Sequence, residues 1–274
     1  MFLAGIGTST PAGRYTKAEC LEAFQNSDWF ERLDTRSHFV ARTVLQRDNG
    51  IEARRLAVLN QLTVAAELDA LAIPMKQMYG EAIRCEGLRA DVFAGKRTPM
   101  VFGQPDEWLA LLIESLLRSG RGEPAAAEEL RARAFNDAPV SQGSLDGQAF
   151  EWLADADMRL GPVLEAYVNG RYYWVPFARL AQVKIEEPED LRDCVWLPAH
   201  LQFENGGEAL ALIPTRYDGS HLNSSGEVQL ARKTEWQELR PEVWIGQGQR
   251  VLTSESGDHA LMDVREITFN AAAG

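Results

Sequence analysis

The sequence predicts an α+β protein, with a helical layer followed by a mostly antiparallel β domain. Apolar residues recur with helical spacing between about 59 and 138. After residue 139, short strand-like segments alternate with Gly and Asn turns. Residues 1–58 carry eight Lys or Arg against seven Asp or Glu, whereas the remainder carries 20 against 33. We therefore expect an atypical N-terminal segment 1–58, a helical domain 59–138 and a β-rich domain 139–274.

The middle part predicts three well-marked helices. One covers residues 75–93 and another begins at Pro105, where a proline and two acidic residues suit the first turn of a helix. The third covers residues 124–135, which are rich in Ala, Glu and Arg. Short connections between such helices resemble tetratricopeptide-like packing, so we expect the helical layer to have this form.

The β part is predicted from its turns. Residues 163–175 alternate around Asn169-Gly170, the pair that a type I′ hairpin turn requires. Residues 202–214 form a second predicted hairpin around Asn205-Gly206. Further strands are expected at 183–185, 234–239, 250–253 and 261–269. The glycines at Gly246 and Gly248 lack the spacing of a nucleotide-binding loop and are interpreted as a turn.

Composition excludes several classes of function. A net charge of −12 disfavours binding to a phosphate backbone, so nucleic acid is not an expected partner. The longest apolar runs are far shorter than the roughly 20 residues that cross a bilayer. Neither the three cysteines nor the four histidines have the spacing of a metal site or a catalytic motif. We expect no membrane span, metal, cofactor or catalytic residue.

Motifs spread from Val64 to Ile267 carry a family resemblance. In order and spacing they resemble the TagJ/ImpE/SciE accessory proteins of bacterial type VI secretion. The most recognisable are Asn169-Gly-Arg-Tyr-Tyr-Trp-Val-Pro-Phe, Leu191-Arg-Asp-Cys-Val-Trp-Leu-Pro-Ala, Asn205-Gly-Gly-Glu-Ala and Lys233-Thr-Glu-Trp. The resemblance implies a cytoplasmic, non-enzymatic adaptor. Such proteins bind a helical segment of the sheath small subunit and are linked to the AAA+ unfoldase that recycles contracted sheath.

Residues 1–58 resemble a different family. Leu3-Ala-Gly-Ile-Gly-Thr-Ser-Thr-Pro and Trp29-Phe-Glu-Arg-Leu are similar to the start of chalcone-synthase-like or ketoacyl synthase III proteins of the thiolase fold. The alternative function is therefore a fragment of a ketosynthase-like acyltransferase. Cys20 matches no nucleophile motif, and the catalytic Cys, His and Asn of that fold belong to regions that this chain lacks. The pattern indicates a fusion or chimera near residue 59.

Two sets of residues are candidates for binding a partner. The helical stripe of Trp108, Leu111, Leu112 and Leu116 has the spacing of an apolar core face, or of a groove that receives a helix. In the predicted hairpin, alternation places Tyr172 and Trp174 on one face and Tyr173 on the other. Arg171 and Tyr173 are therefore the hairpin residues predicted to contact a partner.

A charged group precedes this hairpin. Glu151, Asp155 and Asp157 with Arg159 are candidates for an acid/base or metal cluster, because close carboxylates raise one another's pKa or chelate a cation. The other interpretation is that they are surface charges beside a tight turn at Gly161-Pro162. The absence of a nearby histidine ligand favours the second interpretation.

Overall fold

The structure is a computed structural model that describes residues 72–189, 191–240 and 243–270, with backbone only for 72–76. The chain divides into two compact units, Met1–Ile83 and Arg84–Gly274. The second unit is described below. The ketosynthase-like motifs, Cys20 and the proposed junction near residue 59 lie outside the described residues. The predicted boundaries of the three parts stay predictions.

The helices confirm the predicted periodicity. They are α1 (Ala72–Phe93), α2 (Glu107–Gly120), α3 (Pro124–Asp137) and the short α4 (Gly226–Gln229). Asp106 is the N-cap of α2, with extended backbone angles, and Pro124 occupies the first turn of α3, where a missing N–H costs nothing. Helices α2 and α3 pack against each other across the turn 121–123. The tetratricopeptide-like arrangement stays a prediction, since the preceding segment lies outside the described residues.

One large sheet dominates the second unit. Its nine strands follow the order β1-β6-β5-β9-β8-β7-β14-β2-β3. All neighbouring strands are antiparallel except β1 and β6, which run parallel. The strands are β1 (Met100–Val101), β2 (Gly143–Leu145), β3 (Gln148–Phe150), β5 (Val163–Val168), β6 (Arg171–Pro176), β7 (Leu180–Ile185), β8 (Trp196–Phe203), β9 (Glu208–Pro214) and β14 (Glu266–Phe269). The mostly antiparallel β domain is therefore confirmed.

Two smaller sheets complete the described strands. They consist of the ribbon β10 (Thr234–Arg240) with β11 (Val243–Gly248), and of β4 (Leu153–Asp155), β12 (Val251–Ser254) and β13 (Gly257–Ala260). The predicted strand 261–269 is only partly correct, because Leu261–Asp263 form a 3₁₀ turn before β14 begins. The short strands β2, β3 and β4 were not predicted.

The interpretation of Gly246 and Gly248 as a turn is wrong, since both lie in strand β11. A Cβ on Gly246 would lie 2.2 Å from the ring of Tyr217, and a Cβ on Gly248 would lie 1.9 Å from the carbonyl oxygen of Lys233. These glycines therefore allow close packing within a strand, a role that their sequence spacing does not reveal.

The first predicted hairpin is confirmed in detail. Asn169 has φ 48° and Gly170 has φ 70°, so both turn residues adopt the positive angles of a type I′ turn. The turn sets the register of β5 against β6, in which Glu165 lies opposite Trp174 and Tyr167 opposite Tyr172. This register places these four side chains on one face of the hairpin.

The opposite face of the sheet forms the hydrophobic core. Leu164, Ala166 and Val175 from the hairpin meet apolar side chains of β7, β8, β9 and β14 there. Phe102, Tyr173 and Phe203 are partly buried at the margin of this core. The sheet thus separates an apolar layer from a second face that carries charged groups.

Candidate functional site

The second face of hairpin β5–β6 is polar yet fully buried. Glu165 and Trp174 are 0% exposed and Tyr172 is 2% exposed. The Trp174 indole N–H donates to the Tyr172 hydroxyl at 2.6 Å, and that hydroxyl donates to the Glu165 carboxylate at 2.5 Å. The prediction that Tyr172 and Trp174 share a face is confirmed. The Glu165 carboxylate, which ends this series of hydrogen bonds, is removed from water and needs a cationic partner.

Arg89 in the C-terminal part of α1 supplies that partner. Its Nε and Nη2 donate to the two oxygens of Glu165 at 2.7 and 2.9 Å, a two-point ion pair. Nη2 also donates to the carbonyl oxygen of Arg216 at 2.8 Å. The contact attaches the helix to the centre of strand β5 and to the segment after β9.

A second arginine extends the ion pair into a network. Arg250 lies with its Nη1 3.2 Å from Glu165, while its Nε and Nη2 donate to Asp155 at 3.0 and 2.7 Å. The Tyr217 hydroxyl donates to Asp155 at 3.0 Å and accepts the backbone N–H of Val251. The network therefore joins the large sheet to the three-stranded sheet that contains Asp155.

Asp157, which is buried, and Arg159, which is half-buried, form a neighbouring ion pair. Arg159 Nη2 donates to Asp157 at 2.6 Å, and the guanidinium lies 4.7 Å from the centre of the Phe93 ring. Asp157 also accepts the backbone N–H of Gly246 at 2.9 Å. The interpretation of this group as surface charges is wrong for Asp155, which is only 3% exposed, and for Asp157, which is 0% exposed. Glu151 is exposed, as that interpretation requires. The sequence places Asp155 and Asp157 close together, but it does not reveal that strands β11 and β12 cover them.

Burial and neighbouring charges shift the pKa values of Asp155 and Glu165, the two central carboxyl groups, in opposite directions. Burial raises the pKa of Asp155 to about 6, against the attraction of Arg250. Burial also acts to raise the pKa of Glu165, but the charges of Arg89 and Arg250 exceed that effect and lower it to about 2. Glu165 is therefore held ionised between two arginines, as a structural anchor for helix and sheet.

A cleft opens beside this network. Its volume is about 20 Å³, enough for one water molecule, and it is lined by Glu86, Arg89, Val195, Pro214, Arg216, Tyr217, Asp218, Gly219, Ser220 and His221. Glu86 accepts the Trp196 indole N–H at 2.9 Å and lies 3.8 Å from Arg89 Nη1. The loop 215–221 thus forms one wall, and helix α1 the other.

The predicted partner-binding residues lie elsewhere and in different environments. Trp108, Leu112 and Leu116 of α2 are buried, as the core interpretation of the stripe requires, whereas Leu111 is half-buried. Arg171 is exposed and Tyr173 is half-buried at the start of β6. The structure therefore leaves Leu111, Arg171 and Tyr173 accessible among the six.

Tyr173 belongs to an aromatic group that sequence analysis missed. Its ring centre lies 4.3 Å from that of Phe102, and Phe102 lies 4.7 Å from Phe203. Met100, which pairs with Tyr173 across β1 and β6, is 44% exposed. Phe102 is placed by Arg179, whose guanidinium donates to the carbonyl oxygens of Phe102 and Gln104.

The buried network was also missed, although the sequence contains one signal of it. Glu165 interrupts the otherwise apolar strand Val163–Val168, all of which is buried. A lone acid in such a strand requires a cation nearby. Nothing in the spacing identifies Arg89 or Arg250 as that cation.

Within the described ranges, no three His, Cys, Asp or Glu side chains form a group that could hold a metal ion. Cys85 is a buried thiol and Cys194 a half-buried one. No helix in the described part of the chain is long and apolar enough to cross a membrane.

Comparisons with known proteins identify the class. Residues 147–268, which contain most of the strands, match the family described as ImpE protein. The type VI secretion system accessory component TagJ of Pseudomonas aeruginosa is 49% identical over 210 residues, which cover 77% of this chain and 73% of that protein. The chain therefore belongs to the TagJ/ImpE/SciE family and is an accessory component of type VI secretion.

A solved structure has the same fold. The crystal structure of protein VPA1032 from Vibrio parahaemolyticus aligns with a TM-score of 0.70 and covers 92% of each chain. The two sequences are 20% identical. This likeness supports the α+β architecture of the described residues.

Proposed function

We propose that this protein is a cytoplasmic, non-enzymatic adaptor that binds a helical segment near the N-terminus of the type VI sheath small subunit. The observation that carries the proposal is the 49% identity to an accessory component of type VI secretion. In this proposal the adaptor is linked to the AAA+ unfoldase that recycles contracted sheath. Its task is recognition, so an accessible surface rather than a reactive group performs the function.

The surface that best suits a helix lies around Tyr173. Alternation in β6 puts Arg171 and Tyr173 on the same face, and Phe102 packs on the Tyr173 ring. Aromatic rings offer large contact area at a low cost in side-chain entropy, and an adjacent arginine adds specificity for polar groups. We assign Tyr173 the central contact and Arg171 the flanking one.

The helical stripe plays a supporting part in this proposal. Trp108, Leu112 and Leu116 are buried, so a partner that touched them would first have to displace what covers them. Leu111 is half-buried and is the member of the stripe that can join the contact without rearrangement. A change at Leu111 should therefore weaken binding less than a change at Tyr173.

The test is a binding titration with the full chain. A fluorescent peptide that copies the N-terminal helical segment of the sheath small subunit should bind the unaltered protein. Tyr173→Ala should weaken binding by about tenfold or more, the effect expected for an aromatic contact at an interface centre. Trp236→Ala is the matched control, because Trp236 is a partly exposed aromatic residue on ribbon β10–β11.

Two results would contradict the proposal at different levels. If the unaltered protein does not bind the peptide, the choice of partner is wrong. If Tyr173→Ala and Trp236→Ala bind equally well, the assignment of the surface is wrong, although the partner stands.

A further inference from the structure

Strand β10 lies at the outer edge of the ribbon β10–β11. Trp236 is 37% and Leu239 43% exposed, and the residues between them, Gln237 and Glu238, are exposed as well. Trp244 of β11, which pairs with Glu238, is 43% exposed. The second half of β10 therefore lies at the protein surface together with three large apolar side chains.

The pairing of the ribbon determines which backbone groups of β10 point outward. The Gln249 N–H donates to the carbonyl oxygen of Lys233 at 3.1 Å. This bonded pair lies next to the pair Thr234–Gly248. Bonded and non-bonded pairs alternate along an antiparallel ladder. Thr234 and, two residues further on, Trp236 therefore belong to non-bonded pairs, and their N–H and C=O groups point away from β11.

The outer edge of β11 shows how the protein covers such groups. The Trp244 carbonyl oxygen accepts the N–H of Met158 at 3.1 Å, and the Gly246 N–H donates to the Asp157 carboxylate at 2.9 Å. On the β10 side, the backbone N–H and C=O of Trp236 have no hydrogen-bond partner among the described residues. One edge of the ribbon is thus bonded by the protein itself, and the other offers the same groups at the surface.

Such an edge is complementary to an extended strand rather than to a helix, because a strand presents backbone N–H and C=O groups at the matching spacing. The side chains of Trp236 and Leu239 border the edge and add apolar contact area. A strand that pairs with β10 would bond its outward groups as β10 itself bonds the inner edge of β11.

The charges of β10 select the kind of strand. Lys233 precedes the strand and Arg240 ends it, with Glu235 and Glu238 between them. When two copies of β10 pair antiparallel about their centre, the acidic residues of both copies come together. The net charge of −12 on each copy adds to this repulsion. A strand with basic residues in its middle avoids both effects, so charge favours a different protein over a second copy.

From the outward Trp236 backbone, the bordering apolar side chains and this order of charges, we propose that β10 binds an extended segment of a protein partner as a third strand of the ribbon. The segment has alternating apolar and basic residues and exchanges backbone hydrogen bonds with Thr234 and Trp236. Because side chains alternate between the two faces, its apolar residues lie on the face of Trp236 and its basic residues on the face of Glu235.

The inference is independent of the surface around Tyr173, and its test uses no sheath peptide. The probe is the peptide acetyl-Val-Lys-Val-Lys-Val-Lys-Val-amide, titrated into the full chain labelled with ¹⁵N. The backbone amide signals of Thr234 and Trp236 should shift saturably. Hydrogen exchange of the Trp236 amide should slow by about tenfold or more at saturation, because its N–H becomes bonded.

Two matched peptides are the controls. The fully N-methylated counterpart keeps the side chains and charges but lacks backbone N–H groups. The second counterpart has Glu in place of each Lys and keeps the ability to form a strand. Neither should shift the amide signals of Thr234 and Trp236.

Two substitutions at one position separate the backbone from the side chain. Trp236→Pro removes the outward N–H without breaking a ribbon hydrogen bond, because Trp236 forms a non-bonded pair with Gly246. Trp236→Ala removes the same side chain and keeps the N–H. Trp236→Pro should therefore bind the lysine peptide about tenfold more weakly than Trp236→Ala does. If spectra before titration show that proline unfolds the ribbon, the N-methylated peptide tests the same contact from the other side.

Several results would overturn the inference. These are the absence of saturable shifts at Thr234 and Trp236, equal shifts with either control peptide, and equal binding by two folded Trp236 variants. Shifts of the same amide signals with rising protein concentration and no peptide, together with the mass of a dimer in sedimentation, would show that a second copy occupies the edge.

Discussion

Arg89 and Glu165 form a two-point ion pair at 2.7 and 2.9 Å, although 76 positions separate them in the chain. Both side chains are almost fully buried, and Arg250 approaches the same carboxylate from the other side. Removal of either partner would leave an uncompensated charge in the interior.

The free energies of unfolding lost in the two single variants should add up to more than the loss in the double variant. Arg89→Met and Glu165→Gln should each lower the free energy of unfolding by about 3–5 kcal/mol, since each leaves a buried charge without its partner. The double variant should lose clearly less than the sum, because no unpaired charge remains from this pair. Urea denaturation of the four proteins measures both quantities.

The exposed pair of Arg118 and Glu114 in helix α2 is the control for that experiment. Its side chains are 39% and 36% exposed, so Arg118→Ala should cost less than about 1 kcal/mol. A result in which the buried and the exposed pair cost the same would show that the network contributes no special stability.

Acid should destabilise the protein through Glu165. Its pKa in the folded protein is about 2, against an ordinary value of 4.5, so its stabilising contribution is fully present above pH 4.5 and is lost as the pH falls toward 2. This difference corresponds to about 3 kcal/mol. Urea unfolding between pH 6 and 3 should show a decrease that is smaller in Glu165→Gln. Parallel decreases in both proteins would argue against the ion pair.

Asp155 should have the opposite pH dependence. Its pKa in the folded protein is raised to about 6, so its contribution is present below the ordinary value of 3.8 and is lost as the pH rises through about 6. Carboxyl ¹³C NMR should show a group that titrates near pH 6 and disappears in Asp155→Asn. If every aspartate signal titrates below pH 5, the burial of Asp155 does not have the predicted effect.

Packing around Gly246 should not tolerate a methyl group. A Cβ there would lie 2.2 Å from the Tyr217 ring, whose hydroxyl holds Asp155 in the network. Gly246→Ala should therefore lower the melting temperature and cost about 1–3 kcal/mol. Gly226→Ala, where an added Cβ meets no atom within 4 Å, is the matched control and should change stability little.

Helix α1 should gain stability from the same type of substitution, made at Gly87. Gly87 is an exposed residue within Ala72–Phe93, and a Cβ added to it has no neighbour within 4 Å. Gly87→Ala should raise the free energy of unfolding by about 0.4–1 kcal/mol, because it lowers the entropy of the unfolded chain. An unchanged or lower melting temperature would contradict this expectation.

Local chemistry made much of the fold predictable. Helices α2 and α3 begin where proline and acidic residues suit a helix N-terminus, and the β5–β6 turn is encoded by Asn169-Gly170. The alternation that separates Tyr173 from Tyr172 and Trp174 follows from strand geometry alone. Short strands such as β2 and β4 were missed because three residues carry too little periodicity for detection.

The sequence by itself determined the family, the helices after residue 75, the main hairpin and the face on which Tyr173 lies, because each depends on near neighbours or on ordered motifs. Tertiary structure alone decided that Asp157 is buried, that Gly246 lies against Tyr217 and that Arg89 pairs with Glu165. These contacts join residues distant in sequence. One sequence contains many arginines and acids that could pair, and only the folded sheets select which of them meet.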